Sequence, residues 1–190
     1  KRCACVGGSP VFAIMGILAG VLLPASAIAA AADATPDESP AVTGQDLADL
    51  IVHHAQGWGE LGNGVAAYRP GTQASPMRIG EKTYESGLGT HAPSETVFHL
   101  DGQYESFETD AGVQWRDDQK GSIVMQIFVD DSKAFDSGII GQGTPPMSVK
   151  VSLRDAQELR LVATDAGDGN ACDSANWAGA SSSTGSRRSR

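Results

Sequence analysis

The segment Thr164-Asp165-Ala166-Gly167-Asp168-Gly169, with Asp173 and then Asn176-Trp177 beyond it, packs carboxylates and small residues into a stretch that cannot build a core. Side-chain and backbone oxygens in such a turn can converge on one point, as a hard cation such as calcium requires. Asp165, Asp168 and Asp173 are therefore the candidate metal ligands. Calcium takes about six to eight oxygens, so backbone carbonyls or water would have to complete the shell. The spacing does not follow an EF-hand loop. A solvated Asp/Gly turn is the competing reading of the same residues.

Gly87-Leu88-Gly89-Thr90-His91-Ala92 forms a second cluster, read as a loop between two strand-like runs. A neutral imidazole both donates and accepts, which suits the hydroxyls of a hexose, so His91 is a candidate binding residue. Hydrogen bonding within its own loop is the alternative role. An indole ring can carry the C–H face of a pyranose. Trp58, flanked by Gly57 and Gly59, and Trp115, beside Arg116-Asp117-Asp118 in a polar hairpin, are the candidate platforms. Arg116 could hydrogen-bond hydroxyls, while Trp177 reads as core. No nucleophile–base pair, Gly-x-Ser-x-Gly elbow, phosphate loop or His-Glu-x-x-His motif is present. Many acidic pairs could be spaced as in a glycosidase, and none is marked out. The chemistry is that of binding rather than catalysis.

These residues need a scaffold, and the intervening pattern is β. Thr96 to Leu100 alternates, Asp101-Gly102 follows as a hairpin dipeptide, and Tyr104 to Val113 resumes the strand pattern. Ser122 to Val129 is mostly apolar, Asp130-Asp131-Ser132 turns the chain into Lys133 to Ile140, and Met147 to Leu153 and Glu158 to Val162 alternate again. Short strands between Gly, Asp and Pro turns indicate an all-β sandwich or jelly roll. One short N-terminal helix is predicted from about Gln45 to His54, with Thr43 and Asp46 as a weak capping pair ahead of Leu47, Leu50 and Ile51.

Lys1-Arg2, the apolar run Val11 to Leu23 and the small residues from Ala25 to Ala31 predict a secretory signal peptide over residues 1–31. Residues 32–42 are acidic and Pro-containing, a linker composition. This implies a secreted or periplasmic protein. Without Lys1 and Arg2 the chain carries 12 bases against 23 acids, a formal charge of −11. Such a domain offers no basic footprint for nucleic acid or for an anionic membrane once the signal is cleaved. Cys3 and Cys5 fall in the signal segment, which leaves Cys172 without an internal disulfide partner. Ser181 to Arg190 is low-complexity and basic, so the domain is bounded at 43–182 and residues 183–190 form a disordered tail.

The ordered set Gln56-Gly57-Trp58-Gly59, Lys82-Thr83-Tyr84, Gly87 to Ala92, Glu158 to Val162, Thr164 to Gly169 and Asn176-Trp177-Ala178 resembles the NPCBM domain. This is the module associated with glycoside hydrolase family 98, and it is related to carbohydrate-binding module family 51. The resemblance covers roughly Gly57 to Ala180. It implies a galactose-binding-domain-like sandwich, often calcium-bearing, that recognises galactose-containing glycans and acts with a partner glycoside hydrolase. Under it, His91, Trp58, Trp115 and Arg116 would contact carbohydrate, and calcium at the acidic loop would be structural. The family usually adds another alternating strand after Asn176-Trp177-Ala178, which the Ser-rich tail does not suggest. A structural or protein-interaction sandwich, or a truncated part of a secreted hydrolase, are the alternatives.

Overall fold

The computed structural model describes residues 41–42, 47–117 and 120–184; the predicted signal peptide, most of the predicted linker, Asp118, Gln119 and residues 185–190 of the predicted tail lie outside these. The strands in chain order are β1 (Ala41–Val42), β2 (Ile51–Gln56), β3 (Gly62–Asn63), β4 (Met77–Ile79), β5 (Lys82–Tyr84), β6 (Gly87–His91) and β7 (Ser94–His99). They continue with β8 (Tyr104–Val113), β9 (Ser122–Val129), β10 (Ser132–Gly141), β11 (Met147–Ser152), β12 (Glu158–Thr164) and β13 (Ser174–Thr184). Period-2 alternation places every second side chain on one face, so each of these runs can bury an apolar row. In β12 the buried row is Leu159, Leu161 and Ala163.

Two antiparallel sheets result. One is six-stranded, in the order β11-β8-β13-β6-β3 with β1 attached to β13. The other is five-stranded, in the order β10-β9-β12-β7-β2. Phe98, Leu100, Ile123, Met125, Ile127, Leu159 and Leu161 face Leu88, Phe107, Val151 and Trp177 across the sandwich. Trp177, only 1% exposed, is core as its composition suggested. A separate hairpin, β4–β5, lies on the outer face of the six-stranded sheet, where Met77, Ile79 and Tyr84 close over Ala178. Gly112 sits directly beneath Ile79, so a larger residue there would lift the hairpin off the sheet.

Several local expectations give way to tertiary pairing. Ile51 to Gln56 is an edge strand paired with β7; among the described residues of the span predicted as a helix, Leu47 and Ala48 alone are helical. Two-sheet closure rewards extended Ile51, His53 and His54 with ladder hydrogen bonds that a short, weakly capped helix cannot match. Gly87–His91 is not a loop but a wholly buried strand between β13 and β3. Ser181 to Thr184, assigned to a low-complexity tail, extends β13 along β8 and also pairs with β1. The sandwich thus gains the additional strand length that the Ser-rich composition concealed, and the domain reaches Ala41 and Thr184. Asp101-Gly102 does turn, with both residues at positive φ and Gln103 N donating to Leu100 O at 3.1 Å. The strands it joins belong to different sheets, so it is a crossover and not a hairpin; the Trp115 loop between β8 and β9 crosses likewise. Cys172 is disulfide-bonded, contrary to its reading as a lone cysteine.

Candidate functional site

The registers gather the connections to one end of the sandwich. Ser174 pairs with His91, Ala175 with Val113, Thr164 with Val124, Gly141 with Ser122, and Gln56 with Ser94. Consequently the β2–β3, β6–β7, β8–β9, β10–β11 and β12–β13 connections all open at the same end. Backbone bonds lash them together: Ala92 N to Asp173 O at 2.9 Å, Gln114 N to Ser174 O at 2.9 Å, Gln142 N to Gly121 O at 3.1 Å. Loops held by two rigid sheets are a common setting for a binding site.

Trp58 projects from the first of these connections and is 38% exposed. Its ring centroid lies 5.3 Å from that of His91, with the planes tilted by 50°. Gly57 permits this contact. Its N–H donates to Pro93 O at 2.7 Å, and a Cβ there would meet Pro93 Cδ at 2.7 Å and Ala92 O at 2.9 Å. Gln56 Nε2 donates to Trp58 O at 3.0 Å and ties the backbone at Trp58 to the end of β2.

His91 is the last residue of β6 and only 7% exposed. Its Nδ1 lies 3.0 Å from Ala92 O, so Nδ1 carries the proton and, in the neutral ring, Nε2 is an acceptor. Burial lowers the imidazole pKa; the bond to Ala92 opposes this, and the nearby Arg116 charge lowers it further. His91 is therefore neutral at pH 7. Arg116 is half-buried, with its Nε sealed from solvent and unpartnered among the described residues, and its carbonyl accepts from Gln142 Nε2. Trp58 and His91 are in ring contact, and the Arg116 charge is near enough to be felt by the imidazole.

Trp115 makes contacts of its own. Its Nε1 donates to Asp117 Oδ1 at 3.1 Å, and the Arg78 guanidinium sits 5.5 Å from its ring centroid. The ring thereby fastens the β8–β9 loop to the β4–β5 hairpin, and Trp115 N donates to Arg78 O at 2.8 Å. Beneath, the buried Asn176 donates to Gln114 Oε1 at 2.6 Å and to Arg78 O at 3.3 Å.

The acidic loop does not gather its carboxylates. Asp165 Oδ1 accepts from Gly167 N at 3.2 Å, inside its own turn. Asp168 takes the Ser122 hydroxyl on both oxygens, at 3.0 and 2.9 Å, and buried Asp173 takes the Ser122 N–H at 3.0 Å. Among the described residues no three His, Cys, Asp or Glu side chains converge as a metal site. Asp168 and Asp173 tie the loop to the start of β9, while Asp165 stays within its own turn.

Sequence reasoning missed Asn170. Its Nδ2 lies 3.2 Å from where a Gly57 Cβ would be, and it lines a recess of about 320 Å³ with Lys120, Asp168, Gly169 and Ala171. It also missed Gln142 and Arg78, which position Arg116 and Trp115. Nothing in the spacing of Asn170 or Gln142 relates them to Trp58; only the convergence of loops does.

Fold and site together define a β-sandwich binding module with a ligand-facing end. The chain belongs to the NPCBM/NEW2 domain family, whose profile matches residues 41–182. Its fold is shared by a CBM51 module from Clostridium perfringens GH95, solved in complex with methyl-galactose, at 30% identity and a TM-score of 0.67. That match covers 75% of this chain and 99% of the module. A second similar structure holds CBM51-2, in complex with GlcNAc, and INT domains of Clostridium perfringens ZmpB, at 27% identity and a TM-score of 0.65, covering 73% of this chain and 31% of that one. Among curated proteins, the chain is 28% identical over 132 residues to a Renibacterium salmoninarum protein named "Putative endo-alpha-N-acetylgalactosaminidase". That match takes in 66% of this chain and 8% of the relative.

Proposed function

We propose that this chain is a non-catalytic carbohydrate-binding module that takes a neutral, galactose-type saccharide at the loop end of the sandwich. The observation carrying this reading is the ring contact of Trp58 with His91, whose imidazole feels the Arg116 charge. It combines a partly open indole ring, a neutral imidazole with an acceptor Nε2, and a guanidinium, next to the Asn170 recess. A pyranose needs an apolar surface for its C–H face together with donors and acceptors for its hydroxyls. The methyl-galactose and GlcNAc complexes of similar modules support the same ligand class. A role beside a partner glycoside hydrolase rests on the name of the much longer relative, and export rests on the N-terminal sequence.

Affinity for one sugar is low. About a dozen non-hydrogen atoms at about 0.3 kcal/mol each give about −4 kcal/mol, a Kd near 1 mM. Tethering to an enzyme or multivalent display raises the effective strength. A structural calcium at the acidic loop would have to displace the hydrogen bonds that Asp165 and Asp168 make now.

The test is a glycan array on the full chain, with calcium and then with a chelator, followed by calorimetry on the best ligand. We expect binding of galactose-terminated glycans that changes by less than about twofold on chelation, since the Trp58–His91 contact involves no carboxylate. Binding abolished by the chelator would restore the calcium reading. A folded protein with no glycan ligand in either buffer would leave the protein-interaction sandwich as the better account.

A further inference from the structure

Away from the loop end, the outer face of the six-stranded sheet carries a polar groove of about 320 Å³ beside the β4–β5 hairpin. Asp110 on β8 is its centre, with a side chain 15% exposed. Oδ2 accepts from Lys82 Nζ and from Tyr84 Oη, each at 2.7 Å, and Oδ1 accepts from Ser148 Oγ at 2.6 Å. Lys82 lies over the Tyr84 ring at 4.6 Å and is 60% exposed, so the ammonium keeps N–H groups for a ligand. The floor is flat: a register shift in β13 between Ala178 and Ser181, with Gly179 at φ 60°, leaves only small groups there.

We propose that this groove is a second saccharide-binding site, in which Asp110 accepts from and Lys82 donates to adjacent hydroxyls of one neutral sugar ring. Its charges select that class. Lys82 cancels Asp110, and Lys150 cancels Glu108 at the rim, so the groove is neutral overall and attracts neither anions nor cations. Fixed donor and acceptor positions side by side suit a vicinal diol, whose two hydroxyls can each both donate and accept. Tyr84 and Val149 give the groove an apolar edge that suits the C–H face of one sugar ring and is too small for a peptide or membrane surface. The groove shares no residue with the Trp58–His91 contact. Two weak contacts on one module would give avidity on a branched or dense glycan.

The test is amide chemical-shift mapping on the full chain, with methyl galactoside and N-acetylglucosamine each raised to about 50 mM, well above a millimolar Kd. We expect shifts at Asp110, Ser148, Gly179 and Ser181. They should persist in Trp58→Ala and disappear in Ser148→Trp, which fills the groove from an exposed position. Asp110→Asn, with the melting temperature as a folding control, should weaken them several-fold. Groove shifts without loop-end shifts would refute the loop-end reading and support this one. Absence of groove shifts in folded wild type, or their survival in Ser148→Trp, or their loss in Trp58→Ala, would overturn it.

Discussion

Trp58 and His91 touch through their rings but differ in exposure, and mutations at the two sites report different physics. Replacing Trp58 by Ala removes a surface indole that closes no part of the core. We expect saccharide affinity to fall by about tenfold or more, equivalent to about 1.4 kcal/mol, with a change in melting temperature of only a few degrees. Calorimetry beside a thermal melt measures both. His91 should give the site a pH response. The folded imidazole titrates below 6.5 because burial disfavours its charge. Affinity should therefore be flat above pH 6.5 and decline only at lower pH, as Nε2 loses its acceptor pair; decline beginning at pH 7.5 would contradict this assignment. For stability the sign is the same. The unfolded chain takes the proton first as pH falls through 6.5, so this contribution is whole above 6.5 and lost between there and the folded pKa.

At the level of elements, β6 explains how glycines can look like a ligand loop and serve packing instead. A Cβ on Gly89 would run into Val65 O and the Ala66 backbone, which cross over the strand. Backbone atoms cannot yield as a flexible side chain does. Gly89→Ala should cost about 2–3 kcal/mol or more, read as a lower urea midpoint, because overpacking at a site that cannot relax forces the chain apart. Wild-type stability in this variant would mean that the 62–67 segment is free to move. The β4–β5 hairpin presents the same lesson from outside the sheet. Tyr84 is held both by burial over Ala178 and by its bond to Asp110, and these raise its hydroxyl pKa to about 12.

For the whole molecule, net charge excludes more partners than it selects. A chain of formal charge −9 that binds a neutral sugar has no counterions to release from its ligand. Affinity should therefore stay within about twofold from low salt to about 0.5 M NaCl, where the Debye length has shrunk below 10 Å. A steep salt dependence by calorimetry would instead point to a charged partner. The same reasoning favours a module that depends on tethering: one or two millimolar contacts become useful only when effective concentration is high.

The sequence alone determined the sandwich class and most of its strands, because period-2 alternation is a local property: Tyr104–Val113 and Ser122–Val129 match the observed strands residue for residue. It also singled out Trp58, His91 and Arg116, whose side-chain types fit a polyhydroxylated ligand. Only the tertiary structure decided which strands pair, so Asp101-Gly102 makes its turn without making a hairpin, and Ile51 to Gln56 exchanges helix for sheet. It alone set Trp115 against Arg78, brought Asn170 to Gly57, and turned the Ser-rich end into part of β13. Those outcomes depend on backbone hydrogen bonds and close approach between segments distant in the chain. Composition carries no record of such partners, because a peptide N–H or a missing Cβ is the same wherever its neighbour comes from.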